Sequence, residues 1–192
     1  MWPWEHLAVG YVAFTLLARA FDRPVDGASA LAVALGTQFP DLVDKPLAWS
    51  FSVLPTGKTL AHSVFVAVPT AAAVAYVARR RGYGTLGAAF AVGYLSHLPA
   101  DVLYGPLTDG GPVSVDSLLW PVVAQTPSNG EGLLTTVLYY VSEYRSFLAT
   151  PRAPYYLLFE ATLVGLAVAL WVADGVPGVR LLRRVTGRWR SV

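Results

Sequence analysis

Gly82-Tyr83-Gly84-Thr85-Leu86-Gly87-Ala88-Ala89-Phe90-Ala91-Val92-Gly93-Tyr94-Leu95-Ser96-His97-Leu98-Pro99-Ala100 contains no Asp, Glu, Lys or Arg, and it is followed at once by Asp101. At about 1.5 Å per residue, a helix of this length covers the ~30 Å thickness of a hydrocarbon core. Two other stretches read the same way: Thr59 to Ala78 has no charged residue, and Ala153 to Ala173 has only Glu160. Leu7 to Ala20 is a fourth expected span if Arg19 snorkels at its end. Gly27 to Phe39 is a fifth, short enough to be tilted or re-entrant. The predicted fold is an all-α polytopic membrane helix bundle of about five spans.

Composition agrees. Of 192 residues, 55% are hydrophobic and 14% charged, against roughly 25% charged in an ordinary soluble domain. Mean hydropathy is +0.50. There is no cysteine, so a disulfide scaffold is excluded, and the hydrophobicity excludes a disordered chain. The length suits a single integral membrane domain over 1–192 with no room for a second soluble one. Met1-Trp2-Pro3-Trp4-Glu5-His6 has no basic region of the kind that opens a signal peptide, so the N-terminus is expected in the mature protein.

The basic residues set a direction. Arg19, Arg23, Arg79, Arg80, Arg81, Arg180, Arg183, Arg184, Arg188 and Arg190 all fall on one side if the five spans cross, ten of the 14 Lys and Arg residues. The positive-inside rule makes that side cytoplasmic, with the N-terminus outside and a basic cytoplasmic tail over 174–192. Interleaved with Leu181, Leu182, Val185 and Trp189, the tail arginines suit an interfacial helix on anionic lipid; no nucleic-acid site is expected. The outer segment 105–152 is broken by Gly105-Pro106, Gly110-Gly111-Pro112, Pro121, Pro127 and Pro151. Within it, 131–149 has helical apolar spacing and predicts an amphipathic helix on the outer surface, and Tyr139, Tyr140, Tyr155 and Tyr156 suit an interfacial belt.

All three histidines of the chain gather at the opposite, outer face. His6 opens the first span, His62 opens the third, and His97 lies near the outward end of the fourth. Asp41 and Asp44 follow the second span. His97 and Asp101, at i and i+4, share one side of a helix, and Asp41 and Asp44 converge similarly if the turn after Pro40 is helical. Each residue has a bland explanation alone, as a cap, a turn or an interfacial group. Together they make a first set of ligands for zinc, with manganese or iron as alternatives.

The motifs that carry these residues resemble the YdjM-type membrane-bound metal-dependent hydrolases. They are His6-Leu7-Ala8-Val9-Gly10, Gly36-Thr37-Gln38-Phe39-Pro40-Asp41-Leu42-Val43-Asp44, Gly57-Lys58-Thr59-Leu60-Ala61-His62-Ser63 and Gly93-Tyr94-Leu95-Ser96-His97-Leu98-Pro99-Ala100-Asp101. Order and spacing agree over residues 1–104; the rest carries no matching motif. The usual Pro-Asp-x-Asp appears with one residue more, as Pro40-Asp41-x-x-Asp44, which leaves open whether Asp44 is a ligand or the partner of one. Ala61 stands where Thr often precedes the histidine. The family is distantly similar to zinc-dependent phospholipase C and its nuclease relatives, whose helical His-x-x-x-Asp pair His97 and Asp101 match. The resemblance implies hydrolysis of a phosphoester or lipid, with one or two metal ions.

A bound divalent ion activates water, and a nearby carboxylate takes the proton; Asp41 and Asp44 are the candidate bases. Lys58 is a candidate for holding a substrate phosphate. Glu160, the one Asp, Glu, Lys or Arg residue within the three long apolar runs, is a candidate substrate-binding group. Ser63 and Ser96 adjoin histidines, but neighbours on a helix point about 100° apart, so a serine nucleophile is not expected. Two rivals are a non-enzymatic membrane protein with a structural metal and a transporter. The second needs polar groups along the whole route, and the inward halves of the spans supply only Arg19.

Overall fold

The computed structural model describes residues 1–108, 110–127 and 132–179. Among the described residues there are six α-helices: α1 (Pro3–Ala20), α2 (Gly27–Trp49), α3 (Val64–Arg80), α4 (Gly84–Thr108), α5 (Leu133–Leu148) and α6 (Ala153–Ala173), with a 3₁₀ turn at Asp116–Leu119. There is no strand among the described residues. The basic tail, from Arg180 onward, lies outside the described residues.

Small residues decide how the helices meet. A Cβ on Gly36 of α2 would strike the Phe90 carbonyl of α4, and one on Gly93 of α4 would lie 2.5 Å from the Val33 carbonyl of α2. The two backbones therefore touch directly, as helices do in membranes, where small residues permit close approach. Gly10 brings α1 against Thr37, and Gly87 brings α4 against Ala75 and Ala78 of α3. Val33, Ala67, Ala71, Ala89 and Tyr94 are fully buried along these seams.

α1 and α6 are pinned at both ends. Asp174, just past α6, accepts from Tyr11 Oη at 2.9 Å, Thr15 Oγ1 at 3.1 Å and Arg19 Nη2 at 2.9 Å. At the other end, Tyr156 of α6 donates to the buried Glu5 of α1. α1 and α6 thus run parallel. The remaining contacts make α2 and α4 parallel to each other and antiparallel to α1 and α3. One end of the bundle collects Arg19, Arg79 and Arg80; the other collects the histidines.

Several boundaries differ from the sequence reading. α2 does not stop at Phe39 but runs through Pro40 and Pro46 to Trp49. A proline removes one backbone donor, but the Gly36–Gly93 seam before Pro40 and the hydrogen bonds of Asp44 after it hold the helix in place. α3 begins at Val64, not Thr59, because Ser63 caps it and the preceding residues turn back onto Asp44. α4 passes Pro99 and Pro106 to Thr108, and α6 has the expected bounds. α5 is the expected amphipathic helix, with Leu134, Leu138, Tyr139 and Tyr140 exposed. Tyr156 is not an interfacial residue: only 3% of it is exposed.

α4 and α6 are the two described helices that are long and apolar enough to cross a membrane. Almost none of α6 is buried within the chain, and Leu157, Leu158, Leu166, Val168 and Val172 face outward.

Candidate metal centre

Three helices and one loop carry the polar cluster to a common height. At about 1.5 Å per residue, His6 lies about 20 Å along α1 from Ala20, Asp41 about 20 Å along α2 from Gly27, and His97 about 20 Å along α4 from Gly84. The loop ahead of α3 adds His62 at the same place.

The imidazoles are oriented from behind. Asp44 is fully buried, and its Oδ1 accepts the Ala61 amide at 2.8 Å. Its Oδ2 faces the Thr59 amide at 2.8 Å, the His62 amide at 3.3 Å and the His62 Nδ1 at 2.8 Å. His97 Nδ1 lies 2.6 Å from the Thr37 carbonyl, which can only accept. Both rings therefore carry a proton on Nδ1 and turn Nε2 inward. These two Nε2 atoms are 3.1 Å apart. On two neutral rings the facing lone pairs would repel; a proton on His62 Nε2, or a metal ion in its place, lies between them. His6 stacks on His97 with ring centroids 3.6 Å apart.

Two carboxylates complete the ring. Asp101 Oδ2 is 3.4 Å from His62 Nε2 and 3.6 Å from His97 Nε2, and its Oδ1 is 3.2 Å from His6 Nε2. Asp41 Oδ1 is 3.6 Å from His62 Nε2 and 3.8 Å from His97 Nε2. Asp41 Oδ1 and both ring nitrogens of His6 are buried with no hydrogen-bond partner among the described residues. An orphaned buried group of this kind costs about 1–3 kcal/mol, and Asp41 Oδ1 faces the Nε2 atoms of His62 and His97.

The spacing fits a metal. Ligand atoms at about 2.0–2.2 Å from a tetrahedral ion lie roughly 3.3–3.6 Å from one another, and the contacts above run from 3.1 to 3.8 Å. His6, Asp41 and His97 form one group that could hold an ion, and His62, His97 and Asp101 form a second. The carboxylates favour positive charge at the centre. Burial lowers the pKa of the His62 ring, but the neighbouring Asp101, Asp41 and Asp44 outweigh it and hold the ring up at about 10.

The cluster unites His6, Asp41, His62, His97 and Asp101, with Asp44 one step behind His62. Lys58 reaches it through Nζ, 3.0 Å from Asp101 Oδ2. Glu160 stays apart, accepting from Trp4 Nε1 at 2.6 Å. Four participants were not singled out as site residues from the sequence: Thr37, the Met1 amine 2.8 Å from Asp101 Oδ1, Lys45 on Asp41 Oδ2, and Tyr156 on Glu5. Lys45, four residues after Asp41, was the one with a readable signal, because that spacing pairs opposite charges on a helix.

No curated protein and no solved structure matches this chain. The family model described as YdjM inner membrane protein matches residues 1–176. The match takes in the four histidine and aspartate motifs and also α5 and α6, so the chain belongs to the YdjM inner membrane protein family and is a membrane protein.

Proposed function

We propose that this protein is a membrane-bound metal-dependent hydrolase whose site lies at the outer membrane–water boundary and acts on a phosphoester or lipid. The observation that carries the reading is the facing pair of Nε2 atoms of His62 and His97, 3.1 Å apart with both Nδ1 atoms committed behind them. Metal-ligating histidines are characteristically held this way, by a carboxylate or a carbonyl on the far nitrogen.

His6, His62, His97 and Asp101 would hold the ion, with Asp41 beside them; zinc suits this mixture of imidazole and carboxylate, and manganese or iron are the alternatives. His97 spends Nδ1 on Thr37 and has a single nitrogen left, so the two ligand groups that share it would hold one ion at a time. When bound, a divalent ion lowers the pKa of its water to about 7 and polarises the oxygen of the group under attack.

The chain's own residues divide the rest of the work. Asp41 keeps Oδ1 uncommitted and turned toward the histidines, and it accepts the proton of the attacking water. Asp44, the other expected base, has both oxygens engaged and acts as a positioning residue for His62. Hydrolysis joins the water oxygen to phosphorus or the acyl carbon, breaks the ester bond and returns a proton to the leaving alcohol. Glu160 holds Trp4 at the site's end of α1, and through it bears on where a substrate enters.

The same reading has α1, α2, α3, α4 and α6 all crossing the membrane, with the arginine end cytoplasmic. It is supported by the way these helices alternate between the two ends. Single cysteines at Ser52 and Gly82, both exposed, then label from opposite sides with an impermeant reagent.

The deciding experiment is metal analysis of the detergent-purified protein beside His62→Ala and Asp101→Ala, followed by assays on phosphoesters and lipids. The reading expects metal in the wild type, loss in both variants, and activity that follows metal content. A protein without metal, or equal metal in all three, overturns it. A fully loaded protein inert on every substrate assigns the metal a structural role.

A further inference from the structure

Lys45 and Lys58 stand on the solvent side of the two carboxylates that face the histidines. Lys45 Nζ lies 2.5 Å from Asp41 Oδ2, and Lys58 Nζ lies 3.0 Å from Asp101 Oδ2. The lysine side chains are 25% and 42% exposed, whereas the carboxylates they touch are 10% and 7% exposed. The two ammonium groups are thus the more solvent-exposed partners of the carboxylates that face the centre. Lys45 is further fixed by the Trp49 ring, 5.6 Å from its Nζ, a cation–π placement that holds the side chain at the rim.

The charges do not balance once a cation is added. Asp41, Asp44 and Asp101 supply three negative charges and the two lysines two positive ones. A divalent ion makes the sum positive, and the Met1 ammonium beside Asp101 is matched by the neighbouring Glu5 carboxylate. A buried excess charge is costly unless it is paired. The carboxylates that now hold the lysines would also give up part of their charge to the ion, which loosens the lysines for another acceptor. A phosphoryl group, with up to about two negative charges and several strong acceptor oxygens, supplies what is missing; a neutral ester or amide does not.

We infer that Lys45 and Lys58 form a two-point seat for the phosphoryl oxyanion of the substrate, which makes the substrate class a phosphoester; this rests on the metal reading above. The seat does not depend on whether the phosphoryl group belongs to a lipid headgroup or to a soluble ester.

The test is the binding of inorganic phosphate to the purified full-length protein in detergent, with and without one equivalent of zinc, by calorimetry. Wild type is compared with Lys45→Gln, Lys58→Gln, the double variant and the double arginine variant, and zinc content is measured on every sample. The expected result is zinc-dependent phosphate binding that weakens about tenfold or more in the double glutamine variant, at unchanged zinc content, and returns in the arginine variant. Equal binding in wild type and double variant, or no phosphate binding by zinc-loaded wild type, overturns the seat and leaves the metal reading standing. A wild type that takes up no zinc overturns both. Displacement of phosphate by phosphatidic acid in mixed micelles at lower concentration than by glycerol phosphate assigns the seat to a lipid headgroup, and the reverse order to a soluble ester. Displacement by neither overturns it.

Discussion

Asp44 and His62 meet twice: Oδ2 of the carboxylate faces the ring Nδ1 at 2.8 Å and the backbone amide of the same residue at 3.3 Å. Asp44→Asn keeps the shape but turns two hydrogens toward this ring of donors. Metal affinity should fall about 10- to 100-fold, as it does when the partner of a ligating histidine is lost. Competition against a chromophoric chelator measures it. Affinity within twofold of wild type would remove Asp44 from its positioning role.

The α2–α4 seam gives a second prediction. A methyl group at Gly93 would lie 2.5 Å from the Val33 carbonyl, which belongs to backbone and cannot step aside. Gly93→Ala should therefore cost about 1–3 kcal/mol and reduce metal retention, since the seam sets the Thr37–His97 contact. Gly165→Ala meets nothing within 4 Å and is the control. Thermal unfolding in detergent separates the two, and equal midpoints would refute the close approach.

Acid should release the metal. Burial opposes the charge on His62, but Asp101, Asp41 and Asp44 outweigh it and keep the metal-free ring protonated up to about pH 10. A metal must displace that proton, so apparent affinity rises by about tenfold per pH unit between pH 6 and 9 from this group alone. The same raised pKa stabilises the metal-free protein at neutral pH, a contribution lost as pH rises through about 10. Calorimetry in buffers of different ionisation enthalpy counts the protons released; none released would contradict the protonated ring.

Asp174→Ala tests whether the two ends of the bundle are independent. It removes the acceptor of Tyr11, Thr15 and Arg19 and should lower stability by about 1–3 kcal/mol. Metal content should not change, because the histidines lie about 20 Å away along α1. Loss of metal in a folded variant would show coupling between the ends.

Much of this was readable from residue order. The uncharged runs gave α4 and α6 because a long apolar stretch specifies a helix whether it packs centrally, as α4 does, or little against its own chain, as α6 does, and α6 kept its expected bounds. Pro40 reads locally as a helix end and places the end of α2 at Phe39; what carries it on to Trp49 is the backbone contact with α4 and the loop folded over Asp44, both distant in sequence. The convergence of His6, Asp41, His62, His97 and Asp101 followed from alternating helices and equal heights. The division of labour between Asp41 and Asp44 did not. It depends on which oxygen each turns inward, and that is settled by amides of residues 59–62 that no spacing rule connects to position 44.

The direct backbone contact between α2 and α4 divides the centre into a fixed part and an adjustable part. Thr37, Asp41 and Asp44 ride on one of these helices, His97 and Asp101 on the other, and at Gly36 and Gly93 there is no side chain between them to compress. His6 and His62 come from outside that pair, one from the first turns of α1 and one from the loop before α3. His62 is nonetheless tied to α2 through Asp44, which accepts from its amide and faces its Nδ1, so widening or narrowing the ring of donors falls to His6, whose ring nitrogens have no hydrogen-bond partner among the described residues, and to the α1 helix that carries it.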